Sequence, residues 1–137
     1  MENREHDEAA VLVVAAEIAQ AMSHPTRLRI VELLQGDGAY VMDLVEQTGR
    51  PQANISQHLA MLREAGLVTA EREGMAVRYR LRDKRLLEIV VGLRELAAAQ
   101  IANGAADLML QTPRSRRMMQ RCRGGKRMRG RRPWKKW

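Results

Sequence analysis

At 137 residues, 45% of them apolar, the chain is long enough to bury one core and too short for two domains. The absence of Phe leaves that core to Leu, Val, Ile, Ala and Met, which favours helices over a sandwich. The opening MENREHDEAA is too acidic for a secretory signal, and no apolar run nears the ~20 residues that span a bilayer. A single cysteine, Cys122, excludes an internal disulfide and makes a reducing, cytoplasmic setting the expectation. Charge is divided unevenly. Residues 113–137 hold nine Arg, three Lys and no acid, so the other 112 residues carry 12 of the 24 basic groups and all 16 acidic ones, a net of −4. An acidic body with a basic tail points to a polyanionic partner, nucleic acid ahead of a membrane surface.

In chain order, residues 7–22 (DEAAVLVVAAEIAQAM) predict a helix with acids in its first turn. It is apolar almost all round, so a second surface, such as a partner subunit, is expected to cover it. SHPTRLRIVELLQGDG predicts a second helix, opened by Pro25 with Ser23 or His24 as cap and closed at Gly36 or Gly38. Its core residues are Leu28, Ile30, Val31, Leu33 and Leu34. AYVMDLVEQTGR gives a short third helix with Val41, Leu44 and Val45 inward, closed by Gly49. Pro51 opens a fourth, closed by Gly66.

From 68 to 82 the period changes. Val77, Tyr79 and Leu81 alternate with Arg78, Arg80 and Arg82, and Glu73-Gly74 separates two such runs, which predicts a β-hairpin. Asp83 then caps a long helix with the stripe Leu86, Ile89/Val90, Leu93, Leu96/Ala97 and Ile101. Residues 113–137 read as aperiodic and are expected to be disordered without a partner. The fold expected is mainly α with a small β-hairpin, α1-α2-α3-α4-β-β-α5. That order is a winged helix-turn-helix over residues 1–112, followed by the basic tail over 113–137.

In the fourth helix, PQANISQHLAMLREAGL, steps of 100° put Ile55, Leu59 and Leu62 on one side, with His58 and Ala65 at the edge. Ala53, Ser56, Gln57, Ala60 and Glu64 face away, with Gln52 and Arg63 on the flank. Any surface helix has a polar face. Here, however, the first half of that face is short and uncharged, amides and hydroxyls suit base edges, and Ala lets a helix approach a thymine methyl. A short helix precedes it, and the hairpin that follows carries Arg72, Arg78 and Arg80 where phosphates would lie.

The segments AMSHPTRLRIVELL, ANISQHLAMLREAGLV and EGMAVRYRL resemble the ArsR/SmtB family of transcriptional regulators over about residues 17–83. The most specific piece is SQHLAMLREAGLV, from Ser56 to Val68. The resemblance implies a homodimer joined through the first and last helices, with two recognition helices in successive major grooves of an inverted repeat, about 34–36 Å apart. It also implies Gln52, Asn54, Ser56 and Gln57 as base readers, Asn54 lying off the outward arc. Arg50 and Arg78 would contact phosphate or the minor groove, and His58 would sit at the buried edge.

Three sensor sites of such regulators find no counterpart. The paired thiols of an ELCVCDL-like third helix are replaced by Tyr40 and Met42 in GAYVMDL. The last helix holds Glu88 and Glu95 but no His for zinc, and Glu32 in RLRIVELL stands where sulfur-responsive members carry a cysteine. No metal and no cofactor are therefore expected. Cys122, between Arg121 and Arg123, is the redox candidate, beside the plainer reading of an incidental surface thiol. The expected function is a sequence-specific DNA-binding regulator, in the first instance a repressor, with double-stranded DNA and a second copy of itself as partners and any inducer left open. The alternative is a nonspecific architectural DNA- or RNA-binding protein acting through the tail. No nucleophile–base pair, carboxylate pair or phosphate-cradling Gly loop suggests an enzyme.

Overall fold

The computed structural model describes residues 2–123. The chain runs α1 (Glu2–Ala21), α2 (Pro25–Leu33), β1 (Ala39–Tyr40), α3 (Val41–Thr48), α4 (Gln52–Glu64), β2 (Val68–Glu73), β3 (Ala76–Leu81), α5 (Arg85–Ala102), α6 (Asp107–Leu110) and α7 (Pro113–Arg123). Local chemistry sets these limits. His24 is the cap of α2, its extended backbone leaving Nδ1 to accept the Thr26 amide at 3.1 Å, with Pro25 at the first helical position. Asp43 reaches back to the Tyr40 amide at 3.1 Å to start α3, and Gly49, at φ 67°, ends it in the left-handed conformation. Asp83 receives the Arg85 amide at 2.9 Å at the head of α5.

The sheet is antiparallel in the order β1-β3-β2, with Ala39 opposite Tyr79, Thr69 opposite Arg80 and Glu71 opposite Arg78. The edge strand β1 goes beyond the expected hairpin, being too short for any period of two. Gly38 allows it: at φ 83° it passes so close to β3 that a Cβ there would overlap the Tyr79 carbonyl.

Ile30 and Val31 of α2 and Leu34 at its C-cap, Leu44 of α3, Ile55, Leu59 and Leu62 of α4, Val68 of β2 and Val90 of α5 form the fully buried core. Each apolar side chain so buried is worth about 1.5–3 kcal/mol. Leu28 and Leu33, expected in the core, are half-buried and pack on its edge. Glu32 is buried too, held by Arg29 at 3.2 Å and by Arg94 of α5 at 2.6 Å, which ties α2 to α5. Apolar surfaces on α1 and α5 stay uncovered. Val11, Leu12, Val13 and Val14 of α1 are 57–65% exposed, and so, at 44–59%, are Ile89, Leu93, Leu96 and Ile101 of α5.

The region after residue 112 departs from expectation. Residues 113–123 form a helix, because Ser115, Met118, Met119 and Cys122 recur at i, i+3, i+4 and i+7, a period the arginines between them conceal. Ser115, Met118 and Met119 are half-buried, and α7 packs on α2. Residues 124–137, the rest of the tail expected to be disordered, lie outside the described residues.

Candidate nucleic-acid interface

Helices α3 and α4 meet through the tight turn Gly49-Arg50-Pro51. Ile55, His58, Leu59 and Leu62 anchor α4 in the core, so its orientation is fixed by four buried side chains. Gln52, Ala53, Ser56, Gln57, Ala60 and Glu64 are exposed on the opposite side, and Asn54 is half-buried between the two faces. The first two turns thus present an uncharged polar surface with nothing longer than glutamine. Ser56 and Ala60 also line an open groove of about 430 Å³, bounded by Arg63, Glu64 and Tyr79 of the hairpin.

His58 faces inward, in keeping with its place on the helical wheel. Its Nδ1 lies 3.2 Å from Nη1 of the buried Arg27, and its ring stacks 4.5 Å from that of His24. Arg27 also donates Nε–H to the Ala21 carbonyl. Burial, then the neighbouring His24, Arg27 and Arg50, push the His58 imidazole down to about 4, so it is neutral near pH 7.

The hairpin divides its arginines. Alternation places Arg78 and Arg80 on one face with Glu71 and Glu73, while Arg72 opposite Val77 is on the other. Arg78 is fully engaged: its Nε donates to Glu73 at 2.8 Å, Nη2 to the Tyr40 hydroxyl at 2.7 Å and Nη1 to the Asp37 carbonyl at 3.3 Å. Its guanidinium carbon also lies 4.8 Å from the Tyr40 ring centroid. The Tyr40 hydroxyl donates to Glu73 at 2.6 Å. That bond, followed by those from Arg78, holds the Glu73 carboxyl below its ordinary range. Arg80 donates to the Asp37 carbonyl at 3.1 Å and pairs with Glu71. The two arginines therefore stand at the hairpin face already paired, and must exchange partners to reach a phosphate. Arg72 is exposed.

Arg50 is half-buried before α4, its amide donating to Thr48 Oγ1 at 3.3 Å. It shares a cavity of about 140 Å³ with Asn54, Gln57 and His24 from the body and with Arg121 and Cys122 from α7. Cys122 is exposed and in no disulfide. Its position beside α4 is not visible in the sequence pattern, nor are the hydrogen bonds of Tyr40 and the docking of α7. Among the described residues, no three His, Cys, Asp or Glu side chains are grouped to hold a metal, and no helix is long and apolar enough to cross a membrane.

A helix pair joined by a tight turn, its second helix exposing a short polar face beside a two-stranded wing, defines a winged helix-turn-helix domain. Residues 24–70 match the model of the bacterial regulatory protein arsR family. The chain is 42% identical over 81 residues to the HTH-type transcriptional repressor SmtB of Mycobacterium tuberculosis, covering 59% of this chain and 60% of that protein. It is 41% identical over 83 residues to an uncharacterised HTH-type transcriptional regulator of Methanocaldococcus jannaschii, covering 60% of this chain and 93% of that one. The homodimeric winged helix-turn-helix DNA-binding domain of Mb0332 from Mycobacterium bovis superposes with a TM-score of 0.57 at 30% identity, covering 68% of this chain and 85% of the other. The chain belongs to the arsR family of regulatory proteins.

Proposed function

We propose that the protein is a homodimeric transcriptional repressor that acts in the cytoplasm and reads an inverted-repeat DNA operator through α4, with the β2–β3 wing on the backbone. The observation that carries this reading is the outward face of α4, where Gln52, Ala53, Ser56, Gln57 and Ala60 are exposed and uncharged while four neighbours lock the helix in place. Gln52, Ser56 and Gln57 are the base readers, with Asn54 reaching bases from its half-buried edge. Arg50 and Arg72 contact phosphates, joined by Arg78 and Arg80 once these release Glu73 and Glu71. The uncovered apolar surfaces of α1 and α5 meet their counterparts in a second subunit, which supplies the two-fold axis an inverted repeat requires. This is a binding protein and not an enzyme. Selection of duplexes from a random pool by the full chain, followed by footprinting, tests it. A short protected inverted repeat supports the reading, and coating that grows with DNA length supports the architectural alternative instead.

A further inference from the structure

The arginines of α7 gather around His24, beside the first turns of α4. Met118 and Met119 turn the helix onto the body, which leaves Arg114, Arg116, Arg117 and Arg121 exposed. Arg114, Arg117 and Arg121, at i, i+3 and i+7, surround a hollow of about 160 Å³ over His24. Arg121 also borders the adjoining cavity that holds Arg50 and Gln57. Gln57 belongs to the exposed face proposed to read bases, so Arg121 adjoins that face, with Arg114 and Arg117 next to it over His24.

Among the described residues, no acid is ion-paired with this cluster. Every ion pair among the described residues involves other arginines: Arg29, Arg78, Arg80, Arg85 and Arg94. Arg50, Arg114 and Arg121 instead act together on His24, which burial and then Arg27, Arg121, Arg50 and Arg114 hold below its ordinary range. The N-terminus of α2 opens at the same place and adds the positive end of its helix dipole. Uncompensated guanidinium groups on a rigid helix repel one another until an anion with repeated charges lies across them, and a nucleic-acid backbone has that spacing of charge.

We infer that α7 is a second DNA-contacting helix, whose Arg114, Arg117 and Arg121 grip backbone phosphates flanking the half-site read by α4 of the same subunit. The inference rests on the DNA-binding function proposed above and adds a docked, positioned contact to it, distinct from a flexible polycation.

The test uses the full chain and two duplexes of equal length, one recovered by selection and one with its sequence scrambled. Binding constants are measured across a series of KCl concentrations for the wild type, for R114Q/R117Q/R121Q and for M118S/M119S, with circular dichroism and thermal melting to establish that each is folded. The triple variant is expected to lower the slope of log K against log salt by about 0.9 for each phosphate it no longer neutralises, on both duplexes, with the preference between them kept. Its hydroxyl-radical footprint should shrink at the outer flank of each half-site. M118S/M119S keeps every charge but releases α7, seen as faster tryptic cleavage after Arg117, and is expected to lose the same flank. A wild-type slope and footprint in the triple variant would overturn the inference, as would tighter binding, which would make α7 an obstruction. A wild-type footprint with α7 released would overturn the docked form. Absence of preference between the two duplexes in the wild type would instead defeat sequence-specific reading, while the slope comparison still decides the role of α7.

Discussion

The ring of His58, on the recognition helix, stacks 4.5 Å from the ring of His24, the cap of α2. The pair joins α2 to α4, whose outward face is proposed to read DNA, and buried Arg27 braces it at 3.2 Å from His58. Three potentially cationic groups share one small volume, and the arrangement holds because both imidazoles are neutral.

Acid should therefore loosen this junction. His58 is lowered to about 4 in the folded chain against 6.5 unfolded, and His24 is lowered as well. Between those values the unfolded chain binds more protons, so stability is complete above pH 6.5 and falls as pH drops towards 4. For His58 the loss is on the order of 3 kcal/mol. Melting temperatures measured across this window should fall steeply for the wild type and more gently for His58→Gln. Parallel curves would show that other groups dominate.

Removing Arg27 tests the same junction through its hydrogen bonds. Arg27→Ala leaves the Ala21 carbonyl and His58 Nδ1 without their donor in a buried setting, at a cost of about 2–4 kcal/mol in denaturant unfolding. Arg27→Lys restores the charge but not both bonds, and should recover less than half of the loss. A fully stable Lys variant would reduce the role of Arg27 to its charge.

In the wing, Glu73 holds the guanidinium that the proposed function assigns to phosphate, that of Arg78. Glu73→Ala removes the anion paired with Arg78, leaving its bonds to the Tyr40 hydroxyl and the Asp37 carbonyl, and is expected to tighten DNA binding by about 2–5-fold at low salt, as a surface ion pair is worth no more than ~1 kcal/mol. Weaker binding would mean that the Tyr40–Glu73–Arg78 network holds the wing in its binding pose.

The apolar faces of α1 and α5 predict the assembly. Leu93→Glu, at a site 44% exposed in the single chain, should yield a folded monomer in sedimentation and lower affinity for a two-half-site duplex by at least about tenfold. A dimer that persists would place the interface elsewhere.

Much of this is legible in the residues, for identifiable reasons. Three buried anchors of α4, Ile55, Leu59 and Leu62, follow from a 3.6-residue period, which leaves His58 at the edge, and the hairpin follows from a period of two around Glu73-Gly74. The excess of apolar surface on α1 is visible because a helix greasy on all sides cannot satisfy itself within one subunit. Strand β1 is not legible, since two residues carry no period and its pairing depends on the backbone approach at Gly38. The pairing of Arg78 and Arg80 is within reach of the sequence: strand alternation already puts Glu71 and Glu73 on their face. In α7, net charge masks the Ser115, Met118, Met119 and Cys122 spacing that makes the segment amphipathic. Its place against His24 is a long-range contact that no local pattern encodes.

The most direct measurement is selection of DNA by the wild type and by Ser56→Ala/Gln57→Ala, read as sequence preference. The wild type should enrich an inverted repeat whose half-sites are one helical turn apart, about 34–36 Å. The double variant should keep its fold and its affinity for random DNA while losing roughly 1–3 kcal/mol of discrimination for each base contact removed. Equal enrichment by both proteins, or none by either, would contradict the claim that this face of α4 reads sequence.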